Sequence, residues 1–302
     1  MPPRTKRGAK LIVQQIVNGI SIGFVYAIVA VGYSLIFGVL RIMNMAYASI
    51  FTVGAHFILM FITAKWGMVP AVIATMALTG LVSVFFDFAM LAPLRSKPGG
   101  TGTTVLITAI GFNYVLQNLC MVIWGSERKS FPNVIDFGTI RIAGFNFDST
   151  QFVITGVSII LLIILSWIIY GTNTGLGMRA VQQNTKAANL MGVNVKRTIT
   201  FTFFLSGITA VIAAFLVSSY YQLVYPTMGV QLGSKAFASA VLGGIGILHG
   251  SVLGGLIVGI LECLSVYFFG GGYREAVAFI ILLGVLLVKP TGLFGKKANT
   301  KV

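Results

Sequence analysis

The sequence RAVQQNTKAANLMGVN, residues 179–194, is polar and lies between two long apolar runs. The run before it, residues 152–171, is FVITGVSIILLIILSWIIYG, and the run after it, residues 198–217, is TITFTFFLSGITAVIAAFLV. Apolar runs of about 18 or more residues with few charges are typical of membrane-spanning helices. The polar stretch is therefore predicted to lie in water between two spans.

The rest of the chain shares the apolar character of these two runs. Of its 302 residues, 57% are hydrophobic and 9% are charged, whereas a soluble domain carries about 25% charged residues. Backbone groups in lipid need hydrogen bonds within their own segment, which favours helices. A barrel of alternating strands does not fit, because the apolar runs do not alternate. We predict an all-α, polytopic integral membrane helix bundle that forms one domain over residues 1–302.

Nine apolar segments divide the chain. All but the short 234–249 segment are long enough to span if they are helical and tilted, which predicts about eight spans plus one short re-entrant or broken segment. The segments are residues 11–40, 46–64, 69–92, 103–124, 150–170, 198–221, 234–249, 251–269 and 273–288.

The charged residues predict an orientation. The net charge is +15, and an excess of cations between spans marks cytoplasmic loops. The loop 171–197 and the tail 289–301 contain cations and no acid, so both are predicted to be cytoplasmic. The turn with Arg95 and Lys97 is predicted to lie on the same side, and the loop 125–149, of mixed charge, on the outside.

The N-terminal segment conflicts with this orientation. Counting back through four spans from the 125–149 loop places residues 1–10 outside, although they contain four cations. Either the charge rule fails there, or an early segment turns back within the membrane. The sequence GVLRIMNMAYAS is the candidate for such a break, because Arg41 and Asn44 interrupt the apolar run. No small-residue cleavage site follows the first apolar run, which favours an uncleaved span.

The polar stretch contains the start and stop residues of a short helix. Asn184 or Thr185 is suited to the N-cap, and Gly192 is suited to a left-handed C-cap. The sequence therefore predicts a helix of about two turns that begins and ends at these capping residues.

One face of this predicted helix is apolar. Ala187, Leu190 and Met191 are spaced i, i+3 and i+4, so they share a face. A helix this short is marginal alone. Two interpretations stay open: the face docks into a groove on a partner, or the helix rests on its own bundle.

A glycine-rich stretch, VLGGIGILHGSVLGGLIVGI, follows later in the chain. Gly246, Gly250 and Gly254 lie four residues apart, a spacing that lets helix backbones approach closely. The alternative is a broken helix that lines a cavity, because Gly243 and Gly244 are poor mid-helix residues. The two interpretations are compatible.

Neither an enzyme nor a nucleic-acid-binding protein is favoured by the sequence. His56 and His249 are in separate runs, and no nucleophile has an evident base. Basic and aromatic residues do not interleave, and zinc-ligand spacing does not occur. Cys120 and Cys263 lie in apolar runs and are expected to be buried. We predict no catalytic residues, no metal site and no nucleic-acid partner.

Many short motifs occur in an order and spacing that resemble the LivH-type branched-chain amino acid ABC transporter permeases, over nearly the whole chain. In the polar loop these are Gly175, Arg179-Ala180, Asn184, Ala187-Ala188 and Gly192-Val193-Asn194. Elsewhere they are Asn18-Gly19, Tyr26-Ala27, Asn44, Gly54, Pro93-Leu94-Arg95, Gln117-Asn118, Lys235-Ala236-Phe237, Val241-Leu242-Gly243-Gly244-Ile245-Gly246, Glu262 and Pro290-Thr291-Gly292.

The resemblance implies a multi-pass permease subunit of an ATP-driven importer for branched-chain or other neutral amino acids, in a bacterial cytoplasmic (inner) membrane. Its implied partners are a second LivH/LivM-type permease, two cytoplasmic ABC ATPase subunits and an extracytoplasmic substrate-binding protein. The chain has no Gly-x-x-x-x-Gly-Lys-Ser/Thr motif, so it is expected to bind no cofactor while a partner uses ATP. The alternatives are a permease for urea or short amides within the family, and a stand-alone channel or secondary carrier outside it.

The resemblance also makes the loop 171–197 a cytoplasmic coupling loop. The side chains of Ala187, Leu190 and Met191 are expected to sit in a groove of the ATPase subunit. The full set of predicted coupling residues is Arg179, Asn184, Lys186, Ala187, Ala188, Leu190, Met191 and Gly192, with Arg179, Asn184 and Lys186 at the rim.

A substrate path is predicted from the polar and glycine residues inside the apolar segments. Relatives commonly have Asn-x-Ala-His-Gly and an acid where this chain has NMAYAS, so the path is expected to be less charged here. The predicted path residues are Asn44, Tyr47, Gly243, Gly244, Gly246 and Glu262.

Two acids lie inside apolar runs, where ionisable side chains are costly and usually functional. Glu262 is interpreted either as a contact to a substrate ammonium group or as a structural, protonated hydrogen-bonding group between helices. Glu262→Gln is expected to preserve assembly. Asp87, which lies nearer the cytoplasmic turn, is expected to pair with a cation there; the residue after it is Phe88, where relatives often have arginine.

Overall fold

The computed structural model describes residues 4–96, 101–134, 138–142, 145–289 and 291–295, and this part of the chain is mostly helical. The predicted cytoplasmic cations Lys97, Lys296, Lys297 and Lys301, and Pro290 of the last motif, lie outside the described residues. The helices are α1 (Arg4–Leu40), α2 (Tyr47–Thr63), α3 (Met68–Phe86), α4 (Ala92–Ser96), α5 (Gly102–Trp124), α6 (Ser149–Gly171), α7 (Asn173–Gln183), α8 (Thr185–Leu190), α9 (Val195–Tyr221), α10 (Met228–Gly243), α11 (Leu248–Phe269) and α12 (Arg274–Val288). A π-helical turn (Asp87–Leu91) joins α3 to α4, and a 3-10 turn (Gly271–Tyr273) precedes α12. The strands are β1 (Lys129–Ser130), β2 (Thr139–Ile142), β3 (Phe145–Asp148) and β4 (Leu223–Val224).

Six helical segments of the described chain are long and apolar enough to cross a membrane. They are α1, the continuous α3–α4 segment, α5, α6, α9 and α11. The predicted class, an all-α polytopic membrane protein, agrees with this architecture. The predicted number of about eight spans is not confirmed. α2, α10 and α12 have 17, 16 and 15 residues, which is shorter than the 18 residues required of a candidate span.

The bundle is built around α1 and α9. In the most apolar stretch of each helix, 89% of α1 and 72% of α9 is buried, against 22% of α5 and 28% of α6. Apolar side chains on α5 and α6, such as Val122 and Ile163, are exposed. Such surfaces are stable only against lipid or another membrane protein, so α5 and α6 form the periphery of the bundle.

Glycines allow α1 and α11 to pack with their backbones in contact. A Cβ atom on Gly255 would lie 2.5 Å from the backbone nitrogen of Ala27, and one on Gly23 would lie 2.9 Å from Cα of Leu256. The hydroxyls of Ser34 and Ser251 form a 2.5 Å hydrogen bond in the same interface. The packing interpretation of the glycine-rich stretch therefore agrees with the structure along α11.

The predicted 234–249 segment has the wrong boundaries. α10 ends at Gly243, and α11 begins at Leu248. Gly244 and Gly246 between them have φ angles of 106° and 84°. Only glycine adopts this backbone region without strain, so the two glycines turn the chain and separate two antiparallel helices.

The contacts between helix ends show which of them lie at the same end of the bundle. At one end, Gly38 of α1, Gln182 of α7 and Gly246 meet: the Gln182 amide donates to the Gly246 carbonyl at 3.4 Å. We call this the loop end. At the other end, which we call the outer end, Gln151 donates to Asn18 Oδ1 at 3.0 Å, and β1 pairs with β4.

The N-terminal half of α1 therefore lies at the end opposite the coupling loop. The count of spans predicts this position, whereas the charge of residues 4–10 predicts the opposite one. The predicted break is present: six residues without helix separate Leu40 from Tyr47, and Arg41 has a φ angle of 54°. The chain then returns through α2 to the outer end, where His56 packs 5.2 Å from the Trp124 ring.

Two short antiparallel strand pairs cover the outer end. The pair β2–β3 lies between α5 and α6, and the pair β1–β4 joins the α5–α6 connection to the α9–α10 connection. Phe131, directly after β1, is buried against Phe215 of α9, with ring centroids 6.3 Å apart. The outer ends of α9 and α10 are thereby held beside the 125–149 loop.

Candidate functional sites at the two ends of the bundle

The N-terminus of α8 is capped as the sequence predicts. Asn184 Oδ1 accepts hydrogen bonds from the backbone N–H groups of Lys186 and Ala187, both at 3.0 Å. These N–H groups otherwise lack a partner in the first turn of a helix. Asn184 thus has a structural role at the start of α8.

The C-terminus of α8 is closed by glycine. Gly192 has a φ angle of 85°, its N–H donates to the Asn189 carbonyl at 3.1 Å, and the Val193 N–H donates to the Ala188 carbonyl at 3.0 Å. This left-handed residue ends the helix and satisfies its last carbonyls. A helix of only six residues is therefore held in place at both ends.

The predicted face of α8 points away from the protein. Leu190 is 87% exposed and Met191 is 85% exposed, and Ala187 is also exposed. Ala188 is 4% exposed, so its side chain packs on the bundle and is not part of this outward face. Ala188 thus holds α8 on its own bundle while the other three side chains face outward, and docking of that face into a partner stays a prediction.

The sequence analysis did not predict α7, which precedes α8. Thr172 Oγ1 accepts the Gly175 N–H at 3.1 Å and caps the helix. The helix buries Met178 and Val181. Its early glycines give it a poor intrinsic helix propensity, so tertiary packing stabilises it. A threonine cap followed by apolar residues three apart is the pattern that indicates it.

Arg179 lies on α7 and faces its own bundle more than a partner. Its guanidinium carbon is 5.4 Å from the centroid of the Tyr170 ring, and Tyr170 stacks on His249 at 5.4 Å with an interplanar angle of 4°. This stack connects the coupling loop to the first turn of α11. Lys186 is exposed beside the apolar face of α8, as expected for a residue at the rim.

The structure does not bring the six predicted path residues together. Gly243, Gly244 and Gly246 form the turn at the loop end, where the Phe294 N–H donates to the Gly243 carbonyl at 3.2 Å. Glu262 lies fourteen residues beyond the start of α11, about 20 Å further along the axis. Gly243 and Gly244 pack against the C-terminal segment, and Gly246 packs against Gly38 of α1. The three glycines therefore lie apart from Glu262, and their role in a substrate path stays a prediction.

Asn44 lies in the break between α1 and α2, Tyr47 begins α2, and both are buried. The Tyr47 hydroxyl is 3.1 Å from Thr209 Oγ1, and its ring centroid is 4.6 Å from that of Tyr33. Asn44 Oδ1 accepts the Ala46 N–H at 3.1 Å. These contacts join the break to α9 and α1 and give both residues structural roles.

Glu262 is paired with a residue that the sequence analysis did not single out as its partner. Lys235 Nζ on α10 donates to Glu262 Oε1 on α11 at 2.9 Å, with side chains 8% and 0% exposed. The two residues are 27 positions apart, so helix periodicity does not connect them. A lysine inside an apolar segment is the signal that identifies this position.

A second ion pair lies at the junction of α3 and α4. Arg95 donates to Asp87 Oδ1 at 2.5 Å, with side chains 20% and 6% exposed. The expectation that Asp87 pairs with a nearby cation is confirmed. The π-helical turn between the two residues places them on one side of the helix at this spacing.

A cavity of about 210 Å³ lies at the outer end, between α9, α10 and the α5–α6 connection. Its rim includes the exposed residues Arg128, Tyr221 and Gln231, and Lys235 lies on its buried side. The complete lining is Arg128, Val217, Tyr221, Leu223, Tyr225, Met228, Gln231, Leu232 and Lys235. The cavity combines apolar walls with a buried charge, which is the composition of a small-molecule site.

The fold and these two sites define the class of the protein. It is a polytopic membrane protein with a capped, outward-facing helix at one end and a charged cavity at the other, an arrangement suited to a transport component that works with a partner. Comparison with known sequences gives the family.

Residues 15–286 match the family described as branched-chain amino acid transport system / permease component. The chain is 33% identical to the high-affinity branched-chain amino acid transport system permease protein BraD of Pseudomonas aeruginosa, over 96% of this chain and 97% of that protein. It is 32% identical to LivH of Salmonella typhimurium and 31% identical to LivH of Escherichia coli, with the same coverage. The chain belongs to this permease family, and its role is transport, not enzymatic catalysis.

Proposed function

We propose that this chain is the permease subunit of an ATP-driven importer for branched-chain or other neutral amino acids, and that it couples to a cytoplasmic ATPase through α8. The family and the printed activities of its relatives support the reaction and the substrate class. The geometry of the loop end supports the route of coupling. The bacterial cytoplasmic membrane is the location that such an importer requires.

The exposure of Leu190 and Met191 carries this proposal. Each side chain loses about 1.5–3 kcal/mol of burial free energy while it stays in water. The chain nevertheless fixes both side chains outward, since α8 is capped at each end. Burial of this apolar face in a partner groove recovers that free energy, and the helix is ordered before the partner arrives.

The partners follow from the surfaces of the bundle. The exposed apolar faces of α5 and α6 fit lipid and a second LivH/LivM-type permease. The loop end, with Lys186, Lys196 and Arg197 exposed, fits one of two ABC ATPase subunits, which hydrolyse ATP. The outer end fits an extracytoplasmic substrate-binding protein. A stand-alone channel or secondary carrier has no use for α8, and transport of urea or short amides is the alternative within the family.

Two neighbouring alanines provide a matched test of coupling. Ala187→Glu places a charge on the exposed docking face, so we expect folded protein in the membrane, no bound ATPase subunit and no uptake. Ala188→Glu places the same charge at a buried position, so we expect loss of folded protein. Normal uptake of labelled leucine by the Ala187→Glu variant would contradict coupling through this face.

A further inference from the structure

We propose that the outer cavity binds the carboxylate of a zwitterionic substrate through Lys235, which lines the cavity, and that Glu262 positions the Lys235 side chain. The inference rests on the proposed function, an importer of neutral amino acids. It assigns a substrate role to Lys235 and a positioning role to Glu262, which is buried and outside the cavity lining.

The buried charges are the first observation that supports this site. Both side chains are withdrawn from water between α10 and α11, and they form a 2.9 Å ion pair. A buried ion pair is often no more stabilising than apolar residues of the same volume, so packing alone gives no reason to keep it. A substrate carboxylate that reaches Lys235 from the cavity gives its ammonium group a second acceptor, while Glu262 stays paired with Lys235.

The size and walls of the cavity are the second observation. Its volume of about 210 Å³ lies below the roughly 300–1,000 Å³ of sites for drug-sized ligands. Val217, Met228 and Leu232 form apolar walls near Lys235. An amino acid with its carboxylate at Lys235 would place an aliphatic side chain against these walls. A solute without a carboxylate, such as urea, gives Lys235 no anionic partner.

The rim gives the ligand a direction of approach. The Arg128 guanidinium lies 5.3 Å from the Tyr225 ring centroid, and the Tyr225 hydroxyl donates to Gln231 Oε1 at 2.6 Å. These contacts place a cation at the exposed mouth and a second cation, Lys235, at the buried side. A carboxylate is attracted by both, so the zwitterion enters with its carboxylate leading.

The test uses a neutral version of the pair in the complete transporter. Lys235→Gln/Glu262→Gln removes both charges together and leaves neither partner alone. In proteoliposomes with saturating leucine-loaded binding protein, we expect ATP-driven leucine uptake to fall at least tenfold, the loss of one charge-assisted hydrogen bond from Lys235 to the substrate carboxylate. The ATPase rate stimulated by the loaded binding protein is expected to persist, because the coupling loop is unchanged.

The second ion pair provides the matched control. Asp87→Asn/Arg95→Gln removes the same two charges at the α3–α4 junction, outside the cavity lining. This variant is expected to transport leucine at the wild-type rate. An equal loss in both double variants would overturn the inference, because it would show a general effect of neutralising an ion pair.

A charge swap separates a substrate site from a structural contact. Lys235→Glu/Glu262→Lys keeps an ion pair between α10 and α11 but exchanges the positions of its charges. A structural pair would be rescued by the swap, whereas a site built for one orientation of a zwitterion stays inactive. Wild-type uptake in the swapped variant would overturn the inference.

If the Lys235→Gln/Glu262→Gln variant fails to assemble, a cavity-filling variant tests whether the outer cavity binds the substrate. Gln231→Trp adds a large side chain at an exposed position of the lining and leaves Lys235 and Glu262 in place. We expect normal assembly and at least tenfold slower uptake; unchanged uptake would overturn the inference. A wild-type complex without ATP-driven amino acid uptake would instead contradict the proposed function.

Discussion

The two ends of the bundle depart in opposite ways from the distribution of residues expected for a stable protein. At the loop end, Leu190 and Met191 are apolar and face water. At the outer end, Lys235 and Glu262 are charged and buried. Exposed large apolar groups and buried charges are both informative, because folding alone does not favour either.

The two ends differ in whether the described chain itself supplies a partner for these residues. The apolar face of α8 has no covering group within the described chain, which fits the proposed docking to another protein. The charges at the outer end satisfy each other within the chain, and Lys235 also lines the cavity. On the proposed function, the loop end is a docking surface for a macromolecule, and the outer end is a site for a small charged solute.

The largest predicted effect on stability is at the outer end. Lys235→Met leaves Glu262 buried without its cation, which destabilises a protein by about 3–5 kcal/mol. We expect a clear fall in the temperature at which the detergent-purified protein loses its monodisperse peak. Arg95→Met is the comparison, since the Arg95–Asp87 pair is 20% and 6% exposed, against 8% and 0% for the Lys235–Glu262 pair. We expect a smaller fall for Arg95→Met, and an equal fall in both variants would contradict the distinction.

The same pairing corrects the expectation for Glu262→Gln. The sequence alone predicts that this substitution preserves assembly. With Lys235 at 2.9 Å, glutamine leaves a buried ammonium group without its counter-charge, so assembly is expected to weaken. Wild-type thermal stability of Glu262→Gln would show that the pair contributes little.

An intermediate effect is predicted for the helix cap at the loop end. Asn184→Ala removes the acceptor of two backbone N–H groups, a loss of about 1 kcal/mol. We expect faster hydrogen exchange in α8 and slower uptake. Asn194→Ala is the control: Asn194 caps α9 through the Arg197 N–H at 3.0 Å, outside α8. Unchanged exchange in α8 of the Asn184→Ala variant would contradict the role of the cap.

The smallest effect on stability is predicted for the docking face itself. Leu190→Gln/Met191→Gln changes two exposed side chains, so stability should change by no more than about 0.5 kcal/mol. Uptake should nevertheless be lost, because the partner contact is lost. Leu176→Gln on α7, also an exposed leucine of this loop, should keep uptake near the wild-type rate. Wild-type uptake in the double variant would remove α8 from the coupling mechanism.

The sequence predicts local features well. The apolar runs, the cap at Asn184, the left-handed Gly192 and the break before Tyr47 each depend on neighbouring residues, and the structure contains all of them. The prediction fails where a residue's role depends on a distant partner. Lys235 lies 27 residues from Glu262, so the ion pair and the outer cavity were not predicted.

Two features of the loop end, α7 and the glycine turn, differ from the sequence prediction for local reasons. α7 was not predicted because its glycines weaken its helix propensity, and packing of Met178 and Val181 overrides that weakness. The glycine turn was assigned to the substrate path because Gly243 and Gly244 signal a helix break. A sequence does not show whether such a break borders a cavity or packs against another segment, as it does here against Phe294.

The coupling of α8 to an ATPase is the central claim, and a cysteine cross-link tests it most directly. The two cysteines of the chain, Cys120 and Cys263, are buried, so Met191→Cys adds the only thiol expected to react from water. In native membranes, a photoreactive maleimide attached to the cysteine at position 191 should join the chain to an ATPase subunit on illumination. Ser126→Cys, exposed at the outer end, should give no such product. A reactive thiol at position 191 that never links to an ATPase in an actively transporting membrane would contradict the account.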